Sequence, residues 1–148
     1  MKSKKRSAAN SLSTPPDLVF FIDECLGTGR VPEALRQAGA MVVSHQSHFE
    51  RRQGIKDEEW LREIGERGWV VLTKDKNFKR RPLERGAILA GGIRAFFLSA
   101  TNLSTEQVAQ TFVEALPRMR RLCARHAGPF IARITRLAEV DIVETVDN

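Results

Sequence analysis

Five apolar residues, Leu18-Val19-Phe20-Phe21-Ile22, run without interruption into Asp23-Glu24. A strand with one wet face alternates apolar and polar positions, so an unbroken run predicts a strand buried on both faces. The pattern returns at Trp69-Val70-Val71-Leu72, followed by Thr73-Lys74-Asp75. Shorter apolar runs at 41–43, 95–98 and 130–134 predict further strands. Residues 139–143 either add an edge strand or fold over the sheet.

Between these runs the spacing becomes helical. A helix starts near Val31, with Pro32 suited to its first turn, carries Leu35 and Ala38 inward and stops at Gly39. Asp57-Glu58-Glu59 opens a second helix at the end where its dipole favours acids. That helix places Trp60, Leu61 and Ile64 on one side and ends by Gly68. Residues 83–90 form a short helix closed by Gly91-Gly92. Ser104 and Gln107 have capping-box spacing, and Leu103 with Val108 makes a hydrophobic staple. The stripe Val108, Phe112, Leu116, Met119 and Cys123 continues that helix to about His126, with a kink predicted at Pro117 and a stop at Gly128-Pro129. Residues 45–56 and 76–81 are polar connections. Strands alternating with helices predict a three-layer α/β/α sandwich with a mainly parallel central sheet of about five strands and right-handed crossovers. The pattern leaves the strand order open.

At 148 residues, 42% hydrophobic and 28% charged, the chain has the size and composition of one globular domain. Residues 1–16 are rich in Ser, Lys and Ala and read as a disordered basic leader, leaving 17–148 as a single domain. Four of the six net positive charges come from Lys2, Lys4, Lys5 and Arg6, so the bulk pI says little about partners. No apolar run approaches the roughly 20 residues of a membrane helix. No signal-peptide stretch is visible either, so a cytoplasmic location and no membrane partner are expected. Cys25 and Cys123 are too few for a disulfide framework.

The chemistry concentrates on carboxylates. Asp23 follows the first strand, Asp75 follows the third, and Asp57 stands at a helix start. In an open α/β sheet, ligands bind at the C-terminal ends of the strands. Carboxylates gathered there repel one another unless a cation intervenes, and Mg²⁺ and Mn²⁺ prefer such oxygen ligands. The set therefore points to metal-assisted phosphodiester hydrolysis. Lys74, Lys76, Lys79, Arg80, Arg81 and Arg85 surround Asp75 in sequence and suit the phosphates of a nucleic-acid substrate, with Phe49 and Phe78 as possible stacking surfaces for bases. A second basic cluster, Arg118, Arg120, Arg121 and Arg125, reads as a solvated face or a contact for an acidic segment. His45-x-x-His48 lacks a third zinc ligand at a recognisable spacing, and Gly27-Thr28-Gly29 matches no phosphate-loop pattern.

Ile22-Asp23-Glu24, Asp57 ahead of Trp60-Leu61, and Leu72-Thr73-Lys74-Asp75-Lys76-Asn77-Phe78 together resemble the PIN-like domain family, most closely its VapC-type toxin branch. The resemblance covers residues 18–134. It implies a metal-dependent endoribonuclease that uses Mg²⁺ or Mn²⁺, is silenced by an antitoxin protein and is able to form a homodimer. By position it makes Asp23, Asp57 and Asp75 the catalytic and metal-binding residues, with Asn77 as a further metal ligand. Lys76, Lys79, Arg80 and Arg81 would then bind RNA. One departure concerns Asn77, since many PIN-like proteins carry an acid two residues past the last Asp. Two other classes stay open at this point. One is a phosphoryl-accepting receiver with Asp75 as acceptor and Asp23 and Glu24 on Mg²⁺. It lacks the expected lysine after the fifth strand, where Arg133 and Arg136 stand. The other is a catalytically silent module of the same fold that binds RNA or a partner.

Overall fold

A computed structural model describes residues 18–45, 57–75 and 82–145. The strands β1 (Val19–Ile22), β2 (Met41–Ser44), β3 (Val70–Thr73), β4 (Arg94–Leu98) and β5 (Phe130–Ile134) run parallel. A sixth, β6 (Val140–Thr145), returns antiparallel to β5 at the sheet edge. The order is β2-β1-β3-β4-β5-β6, so β6 settles the alternative left open for 139–143 in favour of an edge strand. Among the described residues lie the helices α1 (Arg30–Gln37), α2 (Asp57–Arg67), α3 (Pro82–Ala90) and α4 (Thr105–Arg125), and a 3₁₀ turn at Glu24–Leu26. None is long and apolar enough to cross a membrane among the described residues.

Successive strand residues point to opposite faces of a sheet, and both faces are covered here. Phe20 and Ile22 join Leu72, Phe96, Phe130 and the inward side chains of α1 and α4. Phe21 joins Val71, Ala95, Ile131 and the inward side chains of α2 and α3. This is why β1 carries no alternation: each of its core positions meets a helix layer. The two clusters also fix the hand of the connections. The steps β3 to β4 and β4 to β5 move the same way across the sheet, yet α3 crosses one face and α4 the other. The two crossovers therefore have opposite hands, against the expectation of right-handed connections throughout. The physical reason is coverage. α1 sits beside the β1–β2 side, and the long α4 covers the rest of that face.

Local signals placed the helix ends well. Gly39, just past α1, adopts φ +95, a backbone conformation that favours glycine. At the start of α4, Ser104 Oγ accepts from Gln107 N–H at 3.1 Å, and Gln107 Oε1 accepts from Ser104 N–H at 2.8 Å, which completes the capping box. α4 runs without interruption through Pro117, and its stripe of Val108, Phe112, Leu116, Met119 and Cys123 is buried. The proline removes one hydrogen bond from a helix held chiefly by that apolar stripe.

The first strand, β1, lies one place in from the β2 edge of the sheet. From β1 the chain passes to β2 on one side and then returns to β3 on the other. A reversal of this kind opens a crevice at the C-terminal ends of the two diverging strands, and the acids after β1 and β3 lie beside it.

Candidate metal centre

Asp23 is the first residue beyond β1. Its N–H still donates to Leu72 O at 2.9 Å, so the backbone stays tied to β3 as it leaves the sheet. Its side chain caps the 3₁₀ turn: Oδ1 accepts from Glu24 N–H at 2.7 Å. Oδ2 accepts from Thr73 Oγ1 at 2.7 Å. Both carboxylate oxygens are thus oriented by the protein, and Oδ1 keeps acceptor capacity.

Thr73 ends β3 and is 0% exposed. The register Ile22↔Leu72 sets Thr73 beside Asp23, which lets its hydroxyl reach across. The same Oγ1 accepts from Asp75 N–H at 3.1 Å. One buried hydroxyl therefore links the carboxylate of Asp23 to the backbone that carries Asp75, and both acids are half-buried. Burial pushes the Asp23 carboxyl above the ordinary carboxylate range; hydrogen bonds from Thr73, Cys25 and Glu24, and the charge of His45, only partly offset this.

Cys25 enters the same group. Its Sγ lies 3.4 Å from Asp23 Oδ2 and 3.3 Å from Thr73 Oγ1, and it accepts from Lys74 N–H at 3.5 Å. Burial, followed by the charge of Asp23, pushes the Cys25 thiol up, so it stays protonated as a weak donor. His45, directly after β2, packs its ring against Phe21 at 5.8 Å and edge-on to Trp60 at 5.2 Å between centroids. It is packed against these aromatic neighbours, and His48 lies outside the described residues.

The donor set fits a hard divalent cation. It consists of oxygens, one carboxylate is drawn out of water and raised in pKa, and its Oδ1 accepts a single hydrogen bond and so keeps a lone pair for a cation. Among the described residues no three His, Cys, Asp or Glu side chains form a group able to hold a metal. Asp57 is the first residue of α2, and its side chain lies outside what is described. Asn77 and the basic residues Lys76, Lys79, Arg80 and Arg81 also lie outside the described residues, as do Phe49 and Phe78. Arg85, grouped in sequence with the basic loop, turns instead to Glu144 of β6 at 3.5 Å.

Thr73 is the contact that the chain pattern conveys least. Its position two residues before Asp75 was visible. Its reach to Asp23 depends on β1 and β3 being neighbours, which no periodicity reveals. The two arginines standing where a receiver would carry its lysine are both engaged elsewhere. Arg133 binds Asp141 at 2.8 Å, and Arg136 donates to Thr101 O at 3.1 Å.

Comparison with known proteins agrees with this geometry. The family model described as "PIN like domain" matches residues 18–100, which contain both acids and Thr73. The chain is 34% identical over 114 residues to "Putative ribonuclease VapC45" of Mycobacterium tuberculosis (strain ATCC 25618 / H37Rv). That match covers 76% of this chain and 82% of the relative. No solved structure matches. A mainly parallel sheet with acids at its reversal point, a family model spanning more than half of the chain and a relative matched over most of its length converge: the chain belongs to the PIN-like domain family, on its VapC-type branch.

Proposed function

We propose that this chain is a divalent-metal-dependent endoribonuclease that hydrolyses RNA phosphodiester bonds, the toxin of a toxin–antitoxin pair. The observation that carries the reading is the Thr73 hydroxyl shared by Asp23 Oδ2 and Asp75 N–H at the crevice between β1 and β3. A hydrolase of this kind needs preoriented carboxylates. The relative named as a ribonuclease supports the choice of chemistry.

Asp23 and Asp75 hold the cation, with Asp57 as the third carboxylate and Asn77 as a neutral ligand. Mg²⁺ or Mn²⁺ held by these residues would supply charge neutralisation at the phosphodiester and activation of water. Thr73 is a positioning residue: its hydroxyl donates to Asp23, which fixes the carboxylate rotamer, and its accepted bond from Asp75 fixes the turn after β3. Lys76, Lys79, Arg80 and Arg81 bind the flanking phosphates, since a cleavage site lined with acids needs cations at its mouth to retain a polyanion. An antitoxin protein blocks the active edge, and the enzyme works in the cytoplasm as a monomer or homodimer.

Asp75→Asn tests the assignment. The variant should lose Mn²⁺-dependent cleavage of single-stranded RNA, by about a hundredfold or more, while keeping the circular dichroism of the parent. RNA cleavage by the parent protein in excess chelator would defeat the metal-dependent reading.

A further inference from the structure

The second half of α4 and the strand β6 enclose a groove of about 380 Å³ far from the carboxylates. Arg118, Arg121, Leu122 and Arg125 recur along α4 at spacings that put them on one side of a helix. Val140 and Ile142 of β6 form the opposite wall. Both pack partly against the main core and leave part of their apolar surface to the groove.

The arginines in this groove are mostly unengaged. Arg118 donates to Ala138 O at 3.2 Å. Arg121 and Arg125 have no hydrogen-bond or ion-pair partner among the described residues, whereas their neighbour Arg120 is spent on Gly39 O at 3.2 Å. The one acid at the groove, Asp141, is taken by Arg133 at 2.8 Å. Beside these cations runs the outer edge of β6, which pairs only with β5 and so offers unpaired backbone donors and acceptors among the described residues.

We propose that this groove docks an extended acidic segment of a second protein, which adds a strand to β6 and lays carboxylates on Arg121 and Arg125. Strand addition draws affinity from main-chain hydrogen bonds and specificity from alternate side chains. The alternation fits: every second residue of the incoming strand faces α4, where glutamates reach Arg121 and Arg125 and lay their methylene stems on Leu122, Val140 and Ile142. Edge-to-edge pairing with the β6 of a second copy does not complement the site, because the β6 acids Asp141 and Glu144 are already paired with Arg133 and Arg85. The N-terminal segment does not either, since residues 1–16 carry only positive charge. RNA fits less well than peptide: phosphates gain nothing from an apolar wall, and only a peptide strand satisfies the free edge.

The probe is a fluorescein-labelled heptapeptide of alternating valine and glutamate, titrated with the full chain in chelator and followed by anisotropy. The peptide should bind, and Arg121→Glu with Arg125→Glu should weaken it by roughly tenfold or more. Arg121→Gln with Arg125→Gln should weaken it less, with an unchanged melting curve confirming the fold. N-methylation of alternate residues along one edge of the peptide should abolish binding, and a valine–lysine peptide should not bind. Absence of binding by the glutamate peptide, indifference to charge reversal or indifference to N-methylation would overturn the proposal. So would a short oligouridylate that binds and loses at least as much affinity on charge reversal as the peptide does, which would make the groove a phosphate track.

Discussion

Thr73 shows how much one buried hydroxyl can organise. It satisfies a desolvated carboxylate on one strand and a backbone donor two residues ahead of it on the next. Thr73→Val keeps the shape but removes one hydrogen bond from each partner, at a cost of roughly 1–3 kcal/mol of stability. Cleavage should fall through loss of Asp23 orientation, and Thr73→Ser should restore most of it; equal losses in Val and Ser would reduce Thr73 to a packing residue. Asp23 makes a prediction of opposite sign. Its carboxyl is raised by burial, so the metal-free native state keeps this proton to higher pH than the unfolded chain does. The native state then binds more protons, and this contribution to stability falls as pH rises through the window between the ordinary and the raised value. Asp23→Asn should remove that decline and melt higher than the parent at neutral pH without metal. Scanning calorimetry across pH reads it, and an identical pH slope in both proteins would contradict the burial argument. The two acids were legible from their places after buried runs. The bond that joins the Thr73 hydroxyl to Asp23 was not, because side-chain contact across strands follows from pairing, and pairing leaves no periodic mark.

At the scale of elements, the close approach of α2 to the end of α3 sets a firm test. A Cβ built on Gly65 of α2 would lie 2.9 Å from Gly91 O, a backbone atom with no rotamer to yield. Helix propensity alone favours Gly→Ala by about 1 kcal/mol. Gly65→Ala should nevertheless destabilise the protein, by roughly 1–3 kcal/mol of overpacking. Chemical denaturation decides, and a stabilised variant would show that the two helices can separate at little cost. Helix stops at Gly39 and Gly68, the Ser104 cap and the apolar stripe of α4 could all be read locally, since each is a rule about residues within two turns. The opposite hand of the β4–β5 crossover could not, because it reflects which face α1 had left uncovered. Nor could the pairing of β6, whose side chains are mostly half-buried and carry no clean alternation.

The whole molecule separates its charges by task. Of a net +6, four positive charges stand in the first sixteen residues, the basic run 76–81 follows the carboxylate crevice, and a third set lines the groove beside β6. On the proposed reading the run 76–81 serves a polyanionic substrate, and the third set, at the β6 edge of the sheet, serves a partner protein. This division depends on a cation lying between acids that the chain delivers from β1, β3 and the start of α2. Without it, carboxylates in a half-buried crevice would be a liability for fold and substrate alike. Anomalous diffraction from a crystal soaked in Mn²⁺ tests this most directly. The account predicts a peak bonded at about 2.2 Å to oxygens of both Asp23 and Asp75, with the Asp57 carboxylate facing it, and no peak in Asp23→Asn crystals. A Mn²⁺ peak elsewhere, or none at concentrations that support RNA cleavage, would contradict it.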